Sequence, residues 1–226
     1  MAFRATEVSR RAFLAMSGVL LFANQTWGDE PKPDHAPKLV ILPLGHEIAG
    51  TDIDFVRRSL EAFFDLRIEV IAPQSLPQAA FYAPRKRYRA EKLLTYLDAH
   101  APKDAQRVVG LTAVDISTSK GAIFDWGVLG LAAIDGRVCV LSKFRCGRGT
   151  KTAEQALVRY GKTAVHEVGH TLGLDHCPTA TCLMEDAKGT VTTTDREYDL
   201  CPRCRARLRS LGRAARDNPT IPWPKP

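Results

Sequence analysis

The sequence is short of methionine, of histidine and of long hydrophobic runs, and each shortage narrows what the chain can be. Met1 and Met16 lie in the first 28 residues, which leaves Met184 as the only methionine beyond them. Only Ala12 to Ala23 forms an extended uncharged apolar stretch. It is shorter than the roughly 20 residues of a spanning helix, and no second run of spanning length follows, so no bundle of spanning helices is expected. No internal repeat occurs, which excludes a solenoid or propeller. Neither charge sign dominates strongly. The net charge is +7, or +5 once the net +2 of residues 1–28 is removed. An excess of that size favours acidic partners only weakly, and no nucleic-acid partner is expected. What is present, 226 residues with 45% apolar side chains, suits one domain with a substantial core plus short appendages.

Residues 1–28 read as an address. Arg10 and Arg11 precede the apolar stretch, and small residues near Ala23 and Gly28 offer cleavage points. The run Ser9-Arg10-Arg11-Ala12-Phe13-Leu14 resembles a twin-arginine export signal. That resemblance implies export of a folded, metal-loaded protein to the periplasm or outside the cell, with no stable membrane association after removal. An ordinary secretory signal or an uncleaved anchor is the alternative.

Residues 29–37, with Pro31, Pro33 and Pro37, read as a linker, and residues 38–215 as the folded domain. Strands are expected at 38–43, 66–72, 107–112, 127–134 and 137–144, the last two joined by a tight hairpin at Asp135-Gly136. Helices are expected from Thr51, as cap, to Phe64, and at 89–99, 151–172 and 202–215. The basic run Arg85 to Arg89 reads as a solvated loop. Residues 216–226, within a stretch carrying Pro219, Pro222, Pro224 and Pro226, read as an extended, mobile tail. The fold class is therefore α+β: a mixed α/β layer first, then a small cysteine-rich C-terminal region.

Three of the six histidines fall within eleven residues, in His166-Glu-Val-Gly-His170-Thr-Leu-Gly173-Leu-Asp-His176. His166 and His170 are four apart, one turn above each other on a helix face, where two neutral imidazoles can share one Zn²⁺. Glu167 sits about 60° around the helix from His170, near the metal's open position without ligating it. A continuing helix would carry His176 about 9 Å too far along its axis. The chain must turn back, and Gly173 can take the left-handed conformation that allows it. Three histidines leave a fourth position for water, as a catalytic zinc requires. This spacing resembles the metzincin signature of zinc peptidases.

Four cysteines follow. Cys177 and Cys182, then Cys201 and Cys204, have zinc-knuckle spacing, and Pro202 suits the first turn of a helix. A second, structural zinc is the preferred reading; two disulfides compete with it, given export. Cys139 and Cys146 are either a disulfide or free buried thiols.

The succession His176-Cys177, Cys182-Leu183-Met184 and Cys201-Pro202-Arg203-Cys204 is similar to the archaemetzincin family, over about residues 160–210 and more loosely upstream. The resemblance implies a metzincin-like twisted sheet with an active-site helix and a C-terminal zinc-knuckle and helix subdomain. It implies a methionine turn at Met184 beneath the catalytic zinc, two zincs per chain, and a peptide substrate extended along an edge strand of the 127–144 hairpin. The expected activity is hydrolysis of peptide bonds by zinc-activated water with Glu167 as general base. Three other readings stand beside it: a catalytically weak zinc- and peptide-binding protein of the same fold, a nucleic-acid contact through Arg203, Arg205, Arg207 and Arg209, and a disulfide-stabilised structural protein. Tyr198 reads as a surface residue beside the knuckle, with an approach to the zinc as the alternative.

Overall fold

The computed structural model describes residues 36–188, 190–213 and 215–225. The expected signal and most of the expected linker lie outside them. Strand β1 (Lys38–Leu44) is apolar from Leu39 onward and buried along its whole length. Such a run belongs to a parallel strand covered on both faces. It pairs in parallel with β2 (Arg67–Val70) on one side and β5 (Arg107–Thr112) on the other. Strand β9 (Val138–Ser142) continues the parallel set beside β5, and the short β8 (Gly130–Ala132) closes it antiparallel, giving the order β2-β1-β5-β9-β8.

Alternation along these strands divides the core in two. Leu39, Ile41, Val109, Leu111, Cys139 and Leu141 face one way, toward helices α1 (Gly50–Phe63) and α4 (Ala153–Thr171). Val40, Leu42, Leu44, Val108, Val138 and Val140 face the other, toward α2 (Ala90–His100). There Leu97 presses so closely on β5 that a Cβ at Gly110 would lie 2.5 Å from its Cδ1. A second sheet of four strands has the order β3 (Phe81–Tyr82), β4 (Arg87–Arg89), β6 (Ile116–Lys120), β7 (Ile123–Gly127). The short helix α3 (Lys143–Cys146) follows β9.

The structure corrects several expectations. Arg87 and Arg89 are not solvated: both are buried in β4, with Arg87 paired to Asp115 and Asp125 and Arg89 to Glu91. A charge run looks like surface until Asp115 and Asp125, distant in sequence, are brought to Arg87, and the Phe124 carbonyl and ring to Arg89. Thr51 lies inside α1, whose N-cap is Ala49. The 133–137 connection is a five-residue loop with Asp135 at φ 53°, not a two-residue hairpin turn. Helix α6 (Pro202–Ser210) stops short because Gly212 takes φ 66°, and the following Arg213 amide returns to the Leu208 carbonyl. The tail packs. Trp223 is buried, stacks on Phe63 at 5.6 Å between centroids and donates its indole N–H to the Tyr198 carbonyl. Among the described residues no helix is long and apolar enough to cross a membrane.

Candidate metal centres and the cleft

Helix α4 begins at Thr152, whose hydroxyl accepts from the Gln155 amide, and carries His166, Glu167 and His170 in its last two turns. Its end is a Schellman motif. The Gly173 amide returns to the His170 carbonyl and the Leu174 amide to the Gly169 carbonyl, with Gly173 at φ 93°. This reversal brings His176 back beside the other two imidazoles, with ring centroids 5.4 Å from His166 and 4.8 Å from His170.

The proton positions follow from the partners. His170 Nδ1 lies 2.7 Å from the Leu174 carbonyl, and His166 Nδ1 lies 2.7 Å from the Leu183 carbonyl. A carbonyl only accepts, so each Nδ1 carries the hydrogen and each Nε2 is bare. Burial holds His166 neutral, with its pKa down at about 3, and lowers that of His170 as well. The two bare Nε2 atoms then face each other at 3.0 Å. Two lone pairs repel at that distance unless a cation lies between them, and two nitrogens of a tetrahedral zinc site stand roughly 3.3 Å apart. The donor set fits a zinc ion.

The four cysteines pass the same test. Their sulfurs all lie within 4.8 Å of one another. Cys177 Sγ is 3.7 Å from Cys201 Sγ, and Cys182 Sγ is 3.7 Å from Cys204 Sγ. Zn–S bonds of about 2.3 Å place tetrahedral sulfurs roughly 3.8 Å apart, whereas a disulfide needs about 2.05 Å. Amides of Thr179 and Cys201 point at the sulfurs of Cys177 and Cys182. Hydrogen bonding from Cys204 brings the Cys182 thiol down to about 5, so thiolate is favoured there before any metal arrives. Cys139 and Cys146 are free and buried in the apolar core, and burial pushes the Cys146 thiol up to about 12.

Residues 182–184 join the two clusters. Cys182 belongs to the sulfur set, the Leu183 carbonyl orients His166, and Met184 is buried against α4, where a Cβ at Gly169 would lie 2.6 Å from its sulfur. The Met184 carbonyl also accepts from the Cys177 amide at 2.7 Å.

The histidines open onto a cleft of about 700 Å³. Its walls are Trp126 to Ala132, the α4 face with Thr163 and Glu167, the segment Asp186–Lys188, and the helix α5 (Val191–Arg196). Glu167 is 7% exposed, and burial raises its carboxyl to about 8. Gly130 of β8 makes room for it, since a Cβ there would lie 2.6 Å from its Cγ and Oε1. Tyr198 does not line the cleft. Arg205, one of the four arginines of the alternative nucleic-acid contact, is buried and paired with Asp199. Sequence reasoning missed the carbonyls of Leu174 and Leu183, the spacing roles of Gly130 and Gly169, and Glu197 in the cleft wall. Only Gly169, inside the histidine motif, carried a signal that could have been read.

The comparisons with known proteins agree with this geometry. The model of peptidase family M54 matches residues 59–210. An archaemetzincin of Halobacterium salinarum is 32% identical over 154 residues, covering 65% of this chain and 85% of its own. One of Pyrococcus abyssi is 30% identical over 181 residues, covering 75% and 93%. The crystal structure of the Methanopyrus kandleri archaemetzincin superposes with a TM-score of 0.67 at 29% identity, over 79% of this chain and 97% of that one. The Archaeoglobus fulgidus archaemetzincin, complexed with malonate, gives 0.63 at 30% identity, over 75% and 98%.

Proposed function

Because the chain belongs to peptidase family M54, a zinc metallopeptidase family that includes the archaemetzincins, we propose that it hydrolyses peptide bonds in the cleft between β8 and α5, with Glu167 as general base. His166, His170 and His176 would hold the catalytic zinc. Cys177, Cys182, Cys201 and Cys204 would hold a second, structural one. A zinc ion on three histidines supplies a Lewis acid for a carbonyl oxygen and lowers the pKa of a water in the open position.

The chain's own groups do the rest. Ionised once a zinc cation beside it offsets the desolvation, Glu167 would take the water's proton on its carboxylate as the scissile carbonyl is attacked, then deliver it to the leaving amine nitrogen. Leu174 and Leu183 hold the imidazoles in the tautomer that leaves Nε2 free. Strand β8, at the sheet's edge, offers an extended peptide unpaired backbone groups to pair with. The observation that carries this reading is the buried Glu167 carboxylate in the same cleft as two facing, unprotonated imidazole nitrogens. For the leader we keep twin-arginine-type export, on the strength of Arg10-Arg11 followed by Phe13-Leu14.

Glu167→Gln tests the assignment. Peptide turnover should fall by at least a hundredfold, while mass spectrometry should still count two zincs, against one in His170→Ala. Retained turnover would sink the general-base role, and no zinc in the native protein would sink the reading altogether.

A further inference from the structure

Most charged groups of the cleft wall have visible partners or belong to the chemistry above. Arg145 is engaged by Asp115, and Asp186 accepts from the Lys188 amide. Glu197 is different. It ends α5, is 2% exposed and lines the cleft, yet among the described residues its carboxylate receives no hydrogen bond and no ion pair. Lys162 and Arg196 attract it and Glu185 and Cys182 repel it, yet neither cation bonds it: the Lys162 ammonium donates to the carbonyls of Thr194 at 3.0 Å and Asp195 at 3.2 Å, and Arg196 pairs with Glu185. A carboxylate buried without a partner is costly to keep.

What surrounds it suggests a use. Val191 and Thr194, three apart on α5, share a helix face and line the cleft with Thr163, one turn before His166 and Glu167. The result is a wall of methyl groups and hydroxyls with an acid at its end, within the same cleft as the candidate metal centre. That combination suits a long aliphatic side chain ending in a cation.

Resting on the peptidase reading, we propose that Glu197 is a specificity residue, receiving the ammonium or guanidinium of a lysine or arginine side chain of the peptide substrate. Desolvation holds its carboxyl up at about 8 in the free protein, and a cation delivered by the substrate would reverse that penalty.

The test separates binding from turnover. Zinc-loaded Glu167→Gln protein is titrated calorimetrically with two sets of N-acetylated, alanine-based hexapeptides, one scanning a lysine and the other a norleucine through each position. At one position lysine should bind at least tenfold tighter than norleucine, and Glu167→Gln/Glu197→Gln should erase the difference. Equal binding of the two sets, no binding of either, or a preference that survives the second substitution would overturn the proposal. Glu197→Gln alone should melt no lower than the native protein at pH 8, because it removes an unpartnered buried charge. A marked fall would assign Glu197 a structural role instead. Failure of the peptidase reading would appear separately, as absence of turnover by the native protein.

Discussion

The two donor clusters of this chain are adjacent in sequence and opposite in design. The nitrogen cluster is open: His170 is buried, His176 is exposed, and the cleft lies in front of them. The sulfur cluster is closed, with four donors at tetrahedral spacing, three of them buried, and amides turned toward the sulfurs. An open three-donor site leaves a coordination position for chemistry, whereas a closed four-donor site leaves none and can only hold structure together. They are nonetheless one mechanical unit. Residues 182–184 contribute a sulfur to the closed site, a carbonyl to a ligand of the open site, and the methionine packed beneath it.

Breaking the closed site should therefore damage the open one, and this is the largest effect expected from the pair. Cys204→Ser removes one of the four sulfurs of the proposed structural zinc site, and with it would go much of that metal's contribution to folding, which in small zinc domains exceeds about 10 kcal/mol. Even about 3 kcal/mol lost would lower the melting temperature by roughly 10 °C in a domain of this size. Turnover should fall with it, because Leu183 would no longer be held against His166. Scanning calorimetry and peptide turnover, with zinc counted by mass spectrometry, check both parts. An unchanged melting temperature would break the link between the clusters.

The comparison also explains what the sequence could reveal. Both clusters were legible because metal ligation demands particular residue types at short spacings, and Gly173 was legible because the third histidine cannot be reached without a reversal. The parallel strands showed as apolar runs such as Leu39 to Leu44. What failed depends on long-range pairing. Arg87 is buried because Asp115 and Asp125 meet it, and Arg89 because Ser119 and the Phe124 carbonyl and ring cover it. Trp223 is ordered because Phe63 and the Tyr198 carbonyl receive it, and the bare spacing of Pro219 to Pro226 carried no sign of that. Glu197 was invisible for the same reason: a lone glutamate means nothing until the fold buries it in a cleft.

Gly173→Ala sharpens the comparison from the other side, since it strains the open site and leaves the four sulfurs alone. At φ 93° a side chain costs about 1–2 kcal/mol, and the new Cβ would stand 2.8 Å from Leu211 Cδ1. The melting temperature should drop by about 3–6 °C. Competition titration with a chromophoric chelator should find one of the two proposed zincs bound more weakly, the one assigned to His166, His170 and His176. Loss of the other zinc would contradict the division of labour between the clusters.

The smallest effect concerns the far wall of the cleft, which belongs to neither donor cluster. Arg159 Nε and Nη2 grip the two carboxylate oxygens of Asp195 at 2.6 and 2.8 Å, fastening α5 to α4. That hydrogen-bonded pairing holds the Asp195 carboxyl below its ordinary value of 3.8. A depressed acid contributes stability that is complete above its unfolded pKa and lost as pH falls through its folded one. Asp195→Asn should therefore cost about 1 kcal/mol at neutral pH, after allowance for a carboxylate with 35% of its side chain exposed. The cost should fade below pH 3.8, where the native carboxyl also becomes protonated and the two proteins converge. Urea unfolding of both across pH 3 to 7 measures the difference. A gap that persists undiminished at the acid end would mean that α5 is held by the shape of the pairing and not by its charge.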